Sequence, residues 1–118
     1  MLKQRIEEMF KRVDAMDVEG YMRHVTDDIR FRFGSAPEVS GKAAVRDTVG
    51  QFFSSIGGIK HALTGVWESG ETAIVRLEVE YTRKDGSKIT LPCANIFEFR
   101  DERIADYRVY MDVTPVFA

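Results

Sequence analysis

Cysteine is almost missing from this chain. The one thiol, Cys93, excludes an internal disulfide and any multi-cysteine metal site, a usage that fits a reducing compartment. Histidine is scarce too: His24 and His61 stand alone without ligand spacing, so no metal and no other cofactor is expected. No apolar run approaches the roughly 20 residues that cross a bilayer, and the first residues lead straight into an amphipathic pattern with no signal peptide. A membrane role is therefore not expected, and a cytoplasmic location is. Neither sign of charge dominates, with 17 basic and 19 acidic residues, a net −2, and the bases scattered among the acids. That leaves no electrostatic footprint for nucleic acid. Repeats, low-complexity tracts and linker-like stretches are also lacking, which predicts a single domain over residues 1–118.

What is present suffices for one core. A chain of 118 residues buries roughly two-thirds of its unfolded surface on folding. Leu2, Ile6, Met9, Phe10, Val13 and Met16 recur at helical steps and predict a helix with one buried stripe. Asp17 reads as the N-cap of a shorter helix, Val18–Val25. Thr26–Asp28 breaks that pattern, and Ile29, Phe31 and Phe33 alternate with arginines in a first strand that runs into the loop at Gly34–Pro37. A third helix is expected over Lys42–Ser55, ended by Gly57–Gly58. Strands follow at about Lys60–Glu68, Thr72–Thr82, Ile89–Phe99 and Ile104–Val113, with Asp85–Gly86 as the plainest hairpin signal.

The last two strands organise the rest. Ile89, Leu91, Cys93, Phe97 and Phe99 share one face with Asn95 in their middle; Tyr107, Val109, Met111 and Val113 share another. An amide set in an apolar row needs a partner, and a bound ligand can be that partner. Segregated helices and antiparallel strands give an α+β fold, expected as a cone-shaped, curved antiparallel or mixed sheet wrapped around three N-terminal helices with a hollow between them.

Several stretches carry a family likeness. Asp17–Gly20, Thr26–Asp28, Ser40–Arg46, Leu91–Pro92, Asn95–Phe97, Arg103–Ile104, Tyr107–Arg108 and Tyr110–Asp112 resemble the nuclear transport factor 2-like superfamily, with its SnoaL-like cyclases, ketosteroid isomerases and limonene-epoxide hydrolases. The resemblance implies the cystatin-like cone and one SnoaL-like domain, but such folds host many activities. The isomerases' helix-borne tyrosine falls on Met9 or Phe10, their general base near Arg32 or Phe33, and their hydrogen-bond-donating aspartate on Asn95, whose amide could still donate. The hydrolases' Arg-x-Asp pair falls on Arg76–Leu77–Glu78, and their second aspartate on Val109, as does the cyclases' catalytic aspartate. Their water-holding tyrosine and asparagine fall on Phe31 and Phe33.

Candidate residues each have a plain competitor. His61, at the start of the strands, is a candidate acid–base group, since an unperturbed imidazole titrates near 6.5; the competitor is a partly exposed histidine of no special role. Arg76 and Glu78 either point inward as a catalytic pair or form an exposed ion-pair ladder, depending on which face of their strand is buried or on a β-bulge that reverses it. Asn95 and Tyr107 are candidates to orient a ligand oxygen, with Phe31, Phe33 and Met111 as walls; Tyr21 and Trp67 read as core or wall. Cys93 reads as a small buried hydrophobe, and Tyr110 and Asp112 suit an outward or dimer-facing position. The leading expectation is a pocket protein performing acid–base catalysis of the isomerase, dehydratase, cyclase or hydrolase type on a small hydrophobic molecule. Its competitors are a non-catalytic binder of such a ligand and an interaction module that uses the outer sheet face. A homodimer through the sheet is expected.

Overall fold

The computed structural model describes residues 1–118. Helix α1 spans Leu2–Asp14 and buries Ile6, Met9, Phe10 and Val13, the stripe its spacing predicts. The chain then passes through Met16 at a left-handed φ of 52° into α2, Val18–Met22. Asp17 caps it, accepting a hydrogen bond from the Gly20 amide at 2.9 Å. Glycine is required at position 20, because a Cβ there would sit 2.3 Å from the capping carboxylate.

Six strands form one mixed sheet: β1 Val25–Phe33, β2 Val39–Ser40, β3 Gly58–Ser69, β4 Thr72–Thr82, β5 Lys88–Arg100 and β6 Arg103–Tyr110. Their order is β2-β1-β6-β5-β4-β3. The last four make the expected antiparallel meander, while β1 joins its edge parallel to β6, with Phe31 beside Tyr107 and Phe33 beside Val109. Helix α3, Lys42–Ser54, crosses the concave face and buries Val45, Val49 and Phe53. Three helices and a curved sheet thus enclose one core, as expected of an α+β cone. No helix is long and apolar enough to cross a membrane.

Some element bounds differ from expectation. The second helix stops at Met22, and β1 begins at Val25 rather than Ile29, because Val25 pairs with Ile104 and the Ile104 amide donates to the His24 carbonyl at 2.8 Å. The two-residue β2 is held only by pairing with Arg30 and Phe31, which no local pattern announces. Strand β6 ends at Tyr110, not Val113, and the tail folds into a 3₁₀ turn over Thr114–Phe117. Between β5 and β6 the chain reverses through Asp101 and Glu102, both at positive φ, a two-residue turn made without the glycine it favours.

Strand β4 settles the face question. Ala73, Val75, Leu77, Val79 and Tyr81 are buried and Ile74, Arg76 and Glu78 are exposed, in unbroken register with β5 from Thr72 to Thr82. The bulge considered for this strand exists on its neighbour, between Leu63 and Gly65 of β3, and does not reverse β4. The reason is hydrophobic: five apolar side chains leave water only if that face turns inward.

Candidate functional site

A cavity of about 220 Å³ lies between α3 and the concave face of the sheet. Phe31 and Phe33 of β1, Tyr107 and Val109 of β6, Cys93 and Asn95 of β5, and Val79 and Tyr81 of β4 form its floor, and Thr48, Val49, Phe52 and Phe53 of α3 cover it. Strand alternation puts each of these on one face, so the wall follows directly from the period-two pattern. The 3₁₀ turn supplies the last wall. Phe117, half exposed, stands edge-on to Phe52 with ring centroids 6.3 Å apart. The Arg83 guanidinium pins that turn by donating to the carbonyls of Val116 and Pro115, each at 2.9 Å. Met111, also in the wall, receives the Tyr81 hydroxyl on its sulfur at 3.3 Å.

His61 is the one imidazole in this lining, which holds no lysine, arginine, aspartate or glutamate. Its Nδ1 lies 2.5 Å from Asp14 Oδ1, and the same carboxylate accepts the His61 backbone N–H at 3.1 and 3.2 Å. A carboxylate only accepts, so in the neutral imidazole the proton sits on Nδ1 and the lone pair on Nε2, which has no partner in the chain. Phe10 stacks on the ring at 4.3 Å and an interplanar angle of 21°, which leaves the imidazole no freedom to turn. The His61 side chain is 8% exposed and Asp14 27%, so the pair is held away from bulk water on the histidine side. Asp14 ends α1, where the helix dipole disfavours a negative charge. That misplacement was the only sequence signal for it; its partner is 47 residues away.

Asn95 is fully buried, between Val109 and Val75 on the neighbouring strands. Its Nδ2 donates to the Ala94 carbonyl at 3.1 Å and to Cys93 Sγ at 3.5 Å. An amide oxygen has no hydrogen to donate to a carbonyl, so these bonds fix the amide's orientation. The donating role that the isomerase resemblance implied for Asn95 is therefore corrected: Oδ1, buried and without a partner, is the free atom. The Tyr21 hydroxyl is likewise buried and unpartnered, and Tyr21 lines the same cavity. Burial raises the phenol pKa of Tyr21, Tyr81 and Tyr107, so all three keep their protons throughout the neutral range. Burial also pushes the Cys93 thiol up to about 11, against the smaller opposing pull of the Asn95 N–H. The thiol is therefore no nucleophile near neutrality.

Of the residues singled out from sequence, His61, Asn95, Tyr107, Phe31, Phe33 and Met111 all line the cavity. Arg76 and Glu78 do not. They stand exposed on the opposite face, and Arg76 is engaged with Thr64, through Nε to Oγ1 at 3.0 Å and Nη2 to the carbonyl at 3.1 Å, and stacks over Trp67. The expectation of an inward catalytic pair is corrected on that ground. Tyr21, read as core or wall, lines the cavity, whereas Asp14 and Phe117 were missed. No group of three His, Cys, Asp or Glu side chains is placed to hold a metal ion.

Comparison with known proteins follows the same lines. The model of the SnoaL-like domain matches residues 6–107. A nuclear transport factor 2-like protein of unknown function from Burkholderia pseudomallei superposes with a TM-score of 0.87 at 18% identity, covering 98% of this chain and 94% of that one. A putative SnoaL-like polyketide cyclase from Jannaschia sp. CCS1 gives 0.84 at 14% identity, with 98% and 88% covered. An LEH-like epoxide hydrolase of M. tuberculosis gives 0.81 at 15%, with 97% and 84% covered. At such identities the likeness is one of fold. No significant match is found among functionally curated proteins. The family match runs from within α1 through the sheet to Tyr107 in the cavity floor, and the chain belongs to the SnoaL-like domain family.

Proposed function

We propose that this SnoaL-like protein is an acid–base catalyst acting on a small, mostly apolar molecule, with His61 Nε2 as the proton acceptor and Asp14 holding its tautomer. The observation that carries the reading is the Asp14–His61 pair, whose imidazole stands in the wall of a cavity with an otherwise nearly all apolar lining while the carboxylate holds it from behind. A neutral base in a water-poor hollow meets substrate with little solvent to displace, which is how such sites gain reactivity. The reaction begins with proton removal by Nε2. The same imidazolium can return that proton elsewhere on the substrate, which suits isomerisation or dehydration.

The test needs no knowledge of the natural substrate. Nitrobenzisoxazole is a single fused-ring probe that opens to a coloured phenolate when a base removes its ring C–H proton as the N–O bond breaks. The native protein should catalyse this with saturation, faster than free imidazole at equal concentration, and an inert arene such as ethylbenzene should compete. A rate no higher than free imidazole, or one indifferent to the arene, sinks the reading. Ligand holding without turnover is the second reading, favoured by the lack of any carboxylate at Phe33 and Val109.

The reading includes a homodimer through the outer sheet face. Trp67, Ile74 and Tyr110 are exposed there, with Trp67, Ile74 and Ile96 in one cross-strand row and Arg76, Ala94 and Tyr110 in the next. Arg76 and Glu78, two apart on β4, offer opposite charges that a two-fold axis can set against each other. Sedimentation at micromolar concentration should give twice the chain mass of 13.5 kDa, and Ile74→Arg should return the single chain.

A further inference from the structure

We propose that the ligand of this cavity is a neutral compound of one or two rings carrying a free hydroxyl, which donates to Asn95 Oδ1 and accepts from the Tyr21 hydroxyl. The inference deepens the reading above and rests on its taking this cavity as the ligand site.

Size comes first. An apolar cavity of about 150 Å³ takes a benzene. At about 220 Å³ this one admits a substituted single ring or two small fused rings. Aromatic side chains on three sides, Phe31, Phe33, Phe52 and Tyr107 among them, suit a ring rather than a flexible chain.

Neutrality follows from the lining. No lysine, arginine, aspartate or glutamate belongs to it, and the one imidazole, His61, already faces the Asp14 carboxylate, so no free charge offsets the cost of bringing in a carboxylate, a phosphate or an ammonium group.

The hydroxyl follows from what is left unpaired. Among buried side-chain oxygens of the whole molecule, two have no partner, Asn95 Oδ1 and the Tyr21 hydroxyl, and both residues line this cavity. Each unmade bond of this kind leaves a desolvation cost uncompensated, so a ligand that pairs both oxygens gains from them. A ligand in this cavity can bring its own polar group to them, with the small side-chain shifts common on binding. The orientation of the amide decides which group. Both N–H bonds of Asn95 are taken by Ala94 and Cys93, so position 95 offers acceptance only. A hydrocarbon or a simple ketone cannot answer it. An O–H can, and its lone pairs remain for the Tyr21 phenol, which stays protonated.

Calorimetric titration of the native protein with four matched probes tests this: indanol, indane, fluoroindane and indane carboxylate. Fluoroindane is nearly the size of indanol but cannot donate. Indanol should bind at least tenfold more tightly than indane or fluoroindane, and the carboxylate should not bind. Asn95→Leu should erase the preference for indanol while keeping indane affinity. Tyr21→Phe should weaken indanol several-fold and, because the hydroxyl it removes has no partner, melt no lower than the native protein. Equal binding of indanol and fluoroindane, or preference for the carboxylate, overturns the proposal, and that comparison stands even if Asn95→Leu fails to fold. Hydroxyl selectivity without nitrobenzisoxazole turnover leaves the ligand assignment standing and removes the catalytic reading. Turnover without selectivity does the reverse.

Discussion

Replacing His61 with alanine should lower nitrobenzisoxazole turnover about 10²–10⁴-fold, the range that a positioned general base contributes. Asp14→Asn should cost nearly as much, and for a reason particular to this geometry. The carboxylate accepts twice, from the His61 backbone N–H and from ring Nδ1. An amide has one accepting oxygen and one donating nitrogen, so it can serve only one of the two. If its oxygen keeps the backbone N–H, its nitrogen donates to Nδ1 and drives the ring proton onto Nε2, which leaves no lone pair for the substrate. If it keeps Nδ1, its nitrogen is pressed against the backbone N–H and the ring loses its anchor. Nitrogen shifts of the imidazole read the tautomer directly and separate this from simple unfolding. A rate unaltered in both variants would leave the dyad without a part in proton transfer.

Phe97→Ala should be the most damaging core substitution, at about 3–5 kcal/mol. Phe97 is fully buried, and no substrate wall depends on it directly; it stands behind the cavity rather than in it. Its ring lies 4.4 Å from that of Tyr107, 6.1 Å from Phe10 and 6.4 Å from Phe99. A domain of this kind is stable by only about 5–15 kcal/mol, so the loss would take roughly a fifth of the total at the least. The midpoint of thermal unfolding should fall by on the order of 15 °C. Because Phe10 in turn stacks on His61, the variant should also lose turnover while still folded, in proportion greater than Phe99→Ala. Equal losses of turnover would show that the aromatic stack does not steady the imidazole.

The sheet was legible because its strands alternate cleanly. Val75, Leu77 and Val79 announce one face of β4, and Cys93, Asn95 and Phe97 one face of β5. Sequence left open which face turned inward, since Arg76 and Glu78 fitted a hydrolase-like pair as well as a solvated ladder; only the packing of the whole sheet against the helices decides that. The Asn95 position could be read, but not its polarity. Whether an amide offers its oxygen or its nitrogen depends on bonds to Ala94 and Cys93 that no pattern encodes. Asp14 escaped for a similar reason. It is one polar residue at a helix end, and its meaning comes from a strand that enters 47 residues later. Val25–Asp28 looked like a helix end and a turn because Thr-Asp-Asp disfavours both regular states; parallel pairing with β6 overrides that local preference.

That parallel seam has a consequence for the newborn chain. Phe31 and Phe33 emerge from the ribosome 76 residues before Tyr107 and Val109, the partners that complete their wall. Until the final strand arrives, β1 has only the two residues of β2 to pair with, and its apolar face waits uncovered. The binding hollow is therefore the last thing this polypeptide makes, and pairing so distant in sequence slows its formation. Conditions that delay synthesis between Ser40 and Arg103 should leave an aggregation-prone half-molecule with helices in place and no hollow at all.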